Sequence, residues 1–246
     1  KQAPNFRNDE VQNLSVKPTF TGQDNQITAI YKFLFGKKER VTPIDSIPVI
    51  KTNLASLDPQ KDVLVWLGHS SYFIQIDGKR ILVDPVLDDH ASPFSWMIKA
   101  FKGSDAYKAE NIPDIDYLFI THDHWDHLDY ETIMKIKPRV KKVICGLGVG
   151  SYFEYWGFNT TSITELDWYE HTDLDKNWIA TATPARHFSG RGLKRNKTLW
   201  ASFVLQTPSM KIFIGGDGGY DKHFKEIGNK FGPIDLAILG QGQYDK

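Results

Sequence analysis

The feature that most constrains the fold is a series of short apolar runs that begins just after Asp62. Three closely spaced runs are typical of strands, namely VLVWLG (63–68), YFIQI (72–76) and RILVD (80–84). Asp77-Gly78 predicts a hairpin turn between the second run and the third. Further runs follow at YLFI (117–120), KKVICG (141–146), WIATAT (178–183), LWASFVLQT (199–207), KIFIGG (211–216) and LAIL (236–239). Many runs are apolar on both faces, which indicates sheets that are covered on both sides.

Segments with helical spacing lie between some of these runs, at Tyr130–Ile136 and Tyr220–Ile227. The chain has 246 residues, of which 41% are hydrophobic and 24% charged, an ordinary globular composition that buries a substantial core. We therefore predict an α/β fold, an αββα sandwich in which helices cover the outer faces of two mixed sheets.

Residues 1–61 differ in composition from the rest of the chain, since they are polar and interrupted by prolines. Their apolar patch, ITAIYKFLF (27–35), predicts one amphipathic helix docked on the body in preference to a membrane contact. We interpret this segment as an extension that wraps a domain formed by residues 62–246.

A long insertion at residues 88–113 interrupts the strands. It carries apolar side chains next to basic ones, with Trp96, Met97, Ile98 and Phe101 beside Lys99 and Lys102. Three interpretations stay open. The insertion is a substrate lid, a loop that faces a membrane, or a surface loop that folds its aromatic side chains onto the core.

Charge and cysteine content exclude some classes of protein. Thirty basic residues balance thirty acidic ones, so bulk electrostatic binding of nucleic acid is not expected. The single cysteine, Cys145, excludes an intrachain disulfide framework and predicts a buried strand thiol. Because the chain begins at Lys1 without methionine, we expect that its natural N-terminus was removed with any signal peptide or anchor. Cytoplasmic and exported, membrane-associated locations therefore both stay open.

The motif FITHDHWDHLD (119–129) places polar, titratable side chains directly after an apolar run. Its metal-ligand types stand at n, n+2, n+4 and n+5: His122, His124, Asp126 and His127. Each is a good donor to a borderline divalent ion, and four such groups at a strand end would be costly to desolvate without one. We predict that His122 and His124 converge on one ion while Asp126 and His127 turn toward a second.

Two later positions support a metal site. His187 follows the run WIATATP, and Asp217 follows KIFI inside GGDGGY, so both mark the end of an apolar run. The glycines beside Asp217 would allow a close approach of the backbone and positive φ.

These motifs, in this order and spacing from about Asp62 to about Tyr244, resemble the metallo-β-lactamase superfamily. Within it, WLGHSSYFIQIDGKRILVDPVL, HDHWDHLD, RNKTLW and GGDGGYDKHFKEIGNKFGPIDLAILG look most like the N-acylphosphatidylethanolamine phospholipase D type, and the ascorbate-6-phosphate lactonase group is a similar relative. The resemblance implies the same αββα sandwich and two metal ions. Zinc is the default, and manganese or iron fits the same ligands.

The resemblance assigns a role to each matching position. It implies that the first ion is held by His122, His124 and His187, the second by Asp126 and His127, and that Asp217 bridges both. Asp84 in LVDP would support the metal loop from the second shell. His69 in GHSS would face the same cleft, either toward substrate or in a structural hydrogen bond.

One feature departs from the family pattern. The family supplies a further histidine to the second ion after the last core strand, and the chain ends at GQGQYDK, where that segment would begin. None of His69, His90, His171 and His223 stands at the matching place. We expect that a C-terminal segment is missing and that the second site is incomplete in this chain.

Such a site is suited to hydrolysis of an ester, lactone or phosphodiester. Two divalent ions, two aspartates and a bridging hydroxide leave about one net positive charge, and the acidified water is the nucleophile. Asp126 would accept its proton. The di-iron flavoproteins of the superfamily carry a glutamate where this chain has His124, which favours hydrolytic chemistry over redox chemistry.

The substrate and the competing functions follow from the remaining residues. Basic side chains after His187 either hold a phosphate or form a solvated loop: Arg191, Lys194, Arg195 and Lys197. A phosphodiesterase acting on a small-molecule or phospholipid-like substrate is the first hypothesis, and a lactonase acting on a phosphorylated sugar acid is the second. A nuclease would need a long basic surface. A non-catalytic scaffold would not need all six ligands intact.

Overall fold

The computed structural model describes residues 5–15, 28, 31, 32, 35, 36, 42–92, 98–192 and 194–240. A short N-terminal hairpin pairs β1 (Phe6–Arg7) with β2 (Glu10–Val11). A six-stranded sheet then runs in the order β3 (Val63–Gly68), β4 (Ser71–Ile76), β5 (Lys79–Val83), β6 (Ile115–Ile120), β7 (Val140–Gly146) and β8 (Ile163–Leu166). Its first three strands are antiparallel, and β5 to β8 are parallel.

A second sheet has five strands. Its order is β13 (Leu236–Ile238), β12 (Lys211–Ile214), β11 (Ser202–Gln206), β10 (Trp178–Thr183) and β9 (His171–Asp175). The strands pair antiparallel except for β12 and β13, which are parallel. Both sheets are therefore mixed, as the sequence predicts.

The α-helices whose residues are all described are α1 (Tyr130–Ile136), α2 (Gly150–Tyr155) and α3 (His223–Phe231), and short 3-10 helices occupy Leu54–Ser56, Ala109–Asn111, Lys137–Arg139 and Thr160–Ser162. Asp129 begins α1 as its N-cap, because its side chain accepts a hydrogen bond from the Thr132 amide. No helix among the described residues is long and apolar enough to cross a membrane.

Three apolar layers build the sandwich. Side chains from both sheets meet in the central layer, for example Ile74 and Phe119 from the first sheet and Phe203 and Ile214 from the second. The outer face of the first sheet packs against α1 and α2, and that of the second packs against α3 through Ile227. This arrangement confirms the predicted αββα sandwich, because each sheet is covered on both faces.

The strand predictions agree with the structure wherever a run is strongly apolar. The Asp77-Gly78 turn has φ of 47° and 72°, which is typical of the predicted two-residue hairpin. Cys145 is buried in β7, as expected. The predicted run at 199–207 begins later, at Ser202, because the Leu199 and Ala201 amides donate to Leu147 and Thr121 in loops of the other sheet.

The sequence missed several elements, among them the short N-terminal strands β1 and β2, and displaced the start of α3. The edge strands β8 and β9 and the short helix α2 carry too few apolar residues to be recognised. Helix α3 begins at His223 instead of Tyr220, because the Asp221 side chain accepts from the Lys222 amide in a preceding turn. Most of the patch at 27–35 and residues 93–97 of the insertion lie outside the described residues, so the predicted helix and the division at residue 61 stay predictions.

Candidate metal centre

The candidate site lies where β6, β10 and β12 end. A nine-residue loop, Thr121–Asp129, joins β6 to α1 and carries the histidine motif. Inside it, the carbonyl of His124 accepts hydrogen bonds from the His127 and Leu128 amides, which folds the motif into a tight turn. Because of this turn, side chains that are adjacent in the sequence converge on one side of the loop.

The first group of ligand atoms comes from three histidines. The Nε2 atom of His122 lies 2.9 Å from Nδ1 of His124, and Nε2 of His187 lies 3.2 Å from the same Nδ1. These atoms all lie within 4.8 Å of one another. The imidazole nitrogens of three residues therefore face a common point, to which two loops contribute.

The second group combines carboxylates with His127. Its Nε2 atom lies 3.3 Å from Oδ2 of Asp217 and 4.0 Å from Oδ2 of Asp126. The Oδ2 atom of Asp217 also lies 3.8 Å from Nε2 of His187, so this carboxylate stands between the two groups. On the other side, His69 Nε2 approaches Asp126 Oδ2 at 3.0 Å, and its ligand atom lies within 4.8 Å of those of Asp126 and His127.

The local environment keeps some of these histidines neutral. Burial, together with the neighbouring histidines, lowers the pKa of His122 well below its ordinary value. Burial also lowers the pKa of His124, although the nearby carboxylates oppose this effect. Neutral imidazole is the form that ligates metal ions, so the first group is electrostatically suited to bind one.

The second group instead attracts positive charge. Burial alone would lower the pKa of His127, but the charge of Asp84 and the close contacts with the carboxylates of Asp217 and Asp84 raise it to about 10. Burial opposes ionisation of both carboxylates, but neighbouring histidines outweigh it. His69 and His127 lower the pKa of Asp126, and His127 lowers that of Asp217. Two carboxylates and one imidazole thus stabilise a cation at this point.

A divalent ion fits these residues. The Nε2 atom of His127 is buried and makes no hydrogen bond, which is unusual for a polar atom in a protein interior. Imidazole nitrogens and carboxylate oxygens are the donors that zinc and related ions take. An ion here would give the buried Nε2 atom its missing partner.

Asp84 supports the metal loop from beneath. Its buried carboxylate accepts hydrogen bonds from the amide and the hydroxyl of Thr121 at 2.8 and 2.6 Å, and its Oδ2 atom lies 2.8 Å from Nδ1 of His127. This last contact orients the ring so that Nε2 faces the cluster, and it would keep the proton on Nδ1 when Nε2 binds an ion. Asp84 has φ of 42°, an unusual backbone conformation of the kind found at functional sites.

Gly216 allows Asp217 to reach the cluster, as the sequence predicts. It has φ of 60°, and a Cβ atom at this position would lie 2.7 Å from Cβ of Thr121. Close packing against the metal loop therefore requires glycine.

The structure brings together all six residues predicted as ligands: His122, His124, Asp126, His127, His187 and Asp217. His69 lies beside them and hydrogen-bonds Asp126. The roles of these residues as ligands stay predictions. The expected site of the further histidine, at and beyond residues 241–246, lies outside the described residues.

Arg191 lies in an aromatic cage. Its guanidinium carbon is 4.0 Å from the ring centroid of Trp125, 5.4 Å from that of Tyr152 and 5.9 Å from that of Trp156. It also donates a hydrogen bond to the carbonyl of Leu128. These contacts anchor the loop after His187, and the predicted contact of Arg191 with a phosphate stays a prediction.

Two residues that hold the loop after His187 could not be recognised from the sequence. The Asp123 carboxylate accepts from the Gly190 amide at 2.7 Å and from the Tyr152 hydroxyl at 3.0 Å. Asn13 hydrogen-bonds the backbone of His187 from 174 positions away. An aspartate between two histidines looks like a residue that only separates them, and a single asparagine in a polar segment belongs to no recognisable motif.

Comparison with known proteins gives a family and two curated relatives. The profile of the Beta-lactamase superfamily domain matches residues 79–246. An uncharacterized protein of Mycobacterium tuberculosis is 35% identical over 246 residues, which cover 100% of this chain and 66% of that protein. N-acyl-phosphatidylethanolamine-hydrolyzing phospholipase D 1 of Caenorhabditis elegans is 33% identical over 196 residues, 73% of this chain and 53% of that protein. The chain thus spans between about half and two thirds of these relatives.

Solved structures show the same fold. The crystal structure of CmlA, a diiron beta-hydroxylase from Streptomyces venezuelae, aligns with a TM-score of 0.58 and 24% identity, covering 73% of this chain and 34% of that one. At this identity the likeness concerns the fold alone.

Proposed function

The chain belongs to the metallo-β-lactamase superfamily, and on this premise we propose that it is a metal-dependent hydrolase that holds two divalent ions, zinc by default. The observation that carries this proposal is the convergence of three overlapping groups of ligand atoms where three strands end. A binding scaffold would have no use for this arrangement, because gathering buried histidines and partly buried carboxylates is costly unless a cation compensates them.

The proposed roles follow from the geometry. His122, His124 and His187 would hold one ion, Asp126 and His127 the other, and Asp217 both. Bound divalent ions would supply a water acidic enough to attack at neutral pH and Lewis acidity toward the charge that develops. Asp126 Oδ2 would take up the proton of that water, and His69, 3.0 Å away, would orient this carboxylate. Thr121 and Asp84 would keep the loop in place.

A cavity beside the site favours a substrate with an apolar part. It has a volume of about 880 Å³, in the range of small-molecule sites, and shares Trp66 and His69 with the cleft over Asp126 and Asp217. Apolar side chains line it from β3, from the residues after β5 and from the insertion: Leu67, Val86, Leu87, Ile98 and Phe101. This lining supports a phosphodiester of the phospholipid type, cleaved at the metal cluster with its apolar group in the cavity.

The rim of this cavity also supports a peripheral membrane contact. Ile98 and Phe101 are 58% and 42% exposed and stand beside Lys99 and Lys102. Apolar tips between basic side chains suit an anionic lipid surface. A substrate could then pass from the membrane to the cleft without crossing water.

The test combines metal analysis with a substrate panel. We expect the purified chain, loaded with zinc, to hydrolyse bis-p-nitrophenyl phosphate and phospholipids in vesicles but not a panel of lactones. The Asp217→Asn variant should lose this activity and part of its metal. The control is Asp175→Asn, which changes an exposed carboxylate of β9 that pairs with Lys79. This variant should keep both the activity and the bound metal. Activity on lactones alone would replace the phosphodiesterase with a lactonase, and absence of bound zinc, manganese or iron would refute the hydrolase.

A further inference from the structure

The N-terminal segment contacts the candidate metal centre directly. We infer that Asn13 is a positioning residue for His187, holding the backbone of this ligand so that its imidazole faces the first ion. The inference rests on the proposed function, since it assigns Asn13 a part in metal binding. It gives a role to a residue that lies outside residues 79–246, the part of the chain that matches the superfamily profile.

The contact involves both polar groups of one residue. The Asn13 Nδ2 atom donates to the carbonyl of His187 at 2.8 Å, and the His187 amide donates to Oδ1 of Asn13 at 3.1 Å. Two bonds from one planar amide to the N–H and the C=O of a single residue fix the orientation of its backbone. The Cα–Cβ direction, and with it the path of the imidazole, follows from that orientation.

The hairpin that carries Asn13 is itself firmly seated. Val11 is 3% exposed and packs in a cluster with Leu147, Ala185, Leu199 and Trp200. Its amide donates to the carbonyl of Asn196 at 2.8 Å. Asn13 is thus two residues beyond a buried anchor, and Ala185 in the same cluster is two residues before His187. Asn13 and His187 are therefore both close in sequence to the same apolar cluster.

The segment around His187 needs such a clamp because it is irregular. Strand β10 ends at Thr183 and β11 begins at Ser202, so no strand ladder holds the described residues between them, 184–192 and 194–201. Asp123 holds Gly190 on the far side of His187, and Asn13 holds His187 itself. The imidazole then meets His124 at 3.2 Å. An error of an ångström in this segment would spoil the geometry of the first group.

The experiment compares Asn13→Ala with Gln12→Ala, a neighbour on the same segment whose exposed side chain bonds only within the hairpin region. Competition with a chelator measures the affinity for the tightest zinc ion, and the visible spectrum of the Co²⁺-loaded protein reports its coordination. We expect Asn13→Ala to lose about tenfold or more in zinc affinity, as partners that orient metal ligands typically do, and to change the Co²⁺ spectrum. Gln12→Ala should stay within about twofold of the parent.

A second variant separates the two hydrogen bonds. Asn13→Asp keeps an acceptor for the His187 amide but turns an oxygen toward the His187 carbonyl. Hydrogen exchange in the metal-free protein should therefore show the His187 amide protected in the parent and in Asn13→Asp, and exposed in Asn13→Ala. Zinc affinity should fall in both variants.

The outcomes are distinguishable. If the parent binds zinc and Asn13→Ala, still folded, binds it equally tightly with an unchanged Co²⁺ spectrum, the inference is wrong and the proposed function survives. Faster exchange at His187 without any change in affinity would likewise reduce Asn13 to a structural contact. If the parent itself binds no metal, the proposed function and this role of Asn13 fail together.

Discussion

The two loops that supply the candidate ligands are built in opposite ways. The loop after β6 carries four candidate ligands within His122–His127, folds through its own backbone bonds and rests on one buried carboxylate, Asp84. The loop after β10 carries one candidate ligand, His187, in an irregular stretch that Asn13 and Asp123 hold by contacts distant in sequence. The shape of the first loop follows mainly from its own turn and one distant carboxylate, whereas the second loop is held at His187 and Gly190 by contacts with distant segments.

This difference predicts how each loop responds to substitution. In the first loop His122 and His127 are buried and the spacing of the four candidate ligands is set by one tight turn, so a single change affects several of them together. In the second loop the ligand is connected to separate supports, so each support can be removed by itself. Damage to the first loop should therefore abolish the site, and damage to the second should weaken it in steps.

The largest expected effect is that of Asp84→Ala, which breaks the support of the first loop. The change removes the acceptor of both Thr121 donors and leaves His127 buried without its partner. We expect the free energy of unfolding to fall by about 3–5 kcal/mol, the usual result of removing one partner from a buried pair. Denaturant titration measures this loss, and elemental analysis should show that both ions are lost. A folded variant with full metal content would show that the first loop does not depend on Asp84.

The next effect concerns the close approach of Asp217 to the first loop. Gly216→Ala puts a Cβ atom 2.7 Å from Thr121 in a backbone conformation with φ of 60°. We expect a loss of about 2 kcal/mol or more in unfolding free energy, together with weaker metal binding. Gly228→Ala is the matched control, because it lies within α3 and a Cβ atom there meets nothing within 4 Å. It should stabilise the protein slightly, and equal losses in both variants would contradict the account of Gly216.

A smaller effect is expected when the second loop loses one support. Asp123→Ala removes the acceptor of the Gly190 amide and of the Tyr152 hydroxyl but no predicted ligand. We expect the zinc affinity to fall about tenfold, as for a residue that orients a ligand, with unfolding free energy reduced by about 1–2 kcal/mol. Tyr152→Phe keeps the hydrogen bond between Asp123 and Gly190, so it should reduce zinc affinity and unfolding free energy less than Asp123→Ala does. Loss of all metal in Asp123→Ala would remove the distinction between the two loops.

The contrast also explains how much of the molecule the sequence predicts. The runs around Ile74, Phe119 and Ile214 identify buried strands because they are apolar on both faces, and two sheets of such strands require outer helices. The edge strand β9, HTDLD, has alternate residues exposed and no such signal. Strand predictions therefore work where a run is strongly apolar, including the edge strands β3 and β13, and fail where polar residues predominate, as in β9.

The same reasoning applies to the candidate site. The spacing of His122, His124, Asp126 and His127 can be recognised in the sequence because all four residues lie in one short loop. His187 and Asp217 could be assigned to the site from their places after strands and from a family resemblance. Asn13 and Asp123 could not, because their function depends on which backbone groups the finished fold brings near them. No pattern within the sequence records such a contact.

The smallest expected effect distinguishes two roles for Arg191 in the second loop. Its guanidinium carbon lies over Trp125 at 4.0 Å, and its side chain donates to the carbonyl of Leu128, so the cage depends on a planar cation. Arg191→Lys keeps the charge but not the planar stack, and should reduce the unfolding free energy by about 1 kcal/mol. If Arg191 only anchors the loop, KM for an anionic phosphodiester should stay near that of the parent.

The alternative role makes the opposite kinetic prediction. If Arg191 contacts the substrate phosphate, Arg191→Lys should raise KM for phosphodiesters and leave KM for an uncharged ester unchanged, since a lysine cannot reproduce the bidentate contact. Arg195→Lys is the matched control, because Arg195 lies over Phe188 at 5.4 Å in the same loop. An increase in KM confined to Arg191→Lys and to anionic substrates would move Arg191 from the support of the second loop to the substrate, and the second loop would then bind substrate as well as metal.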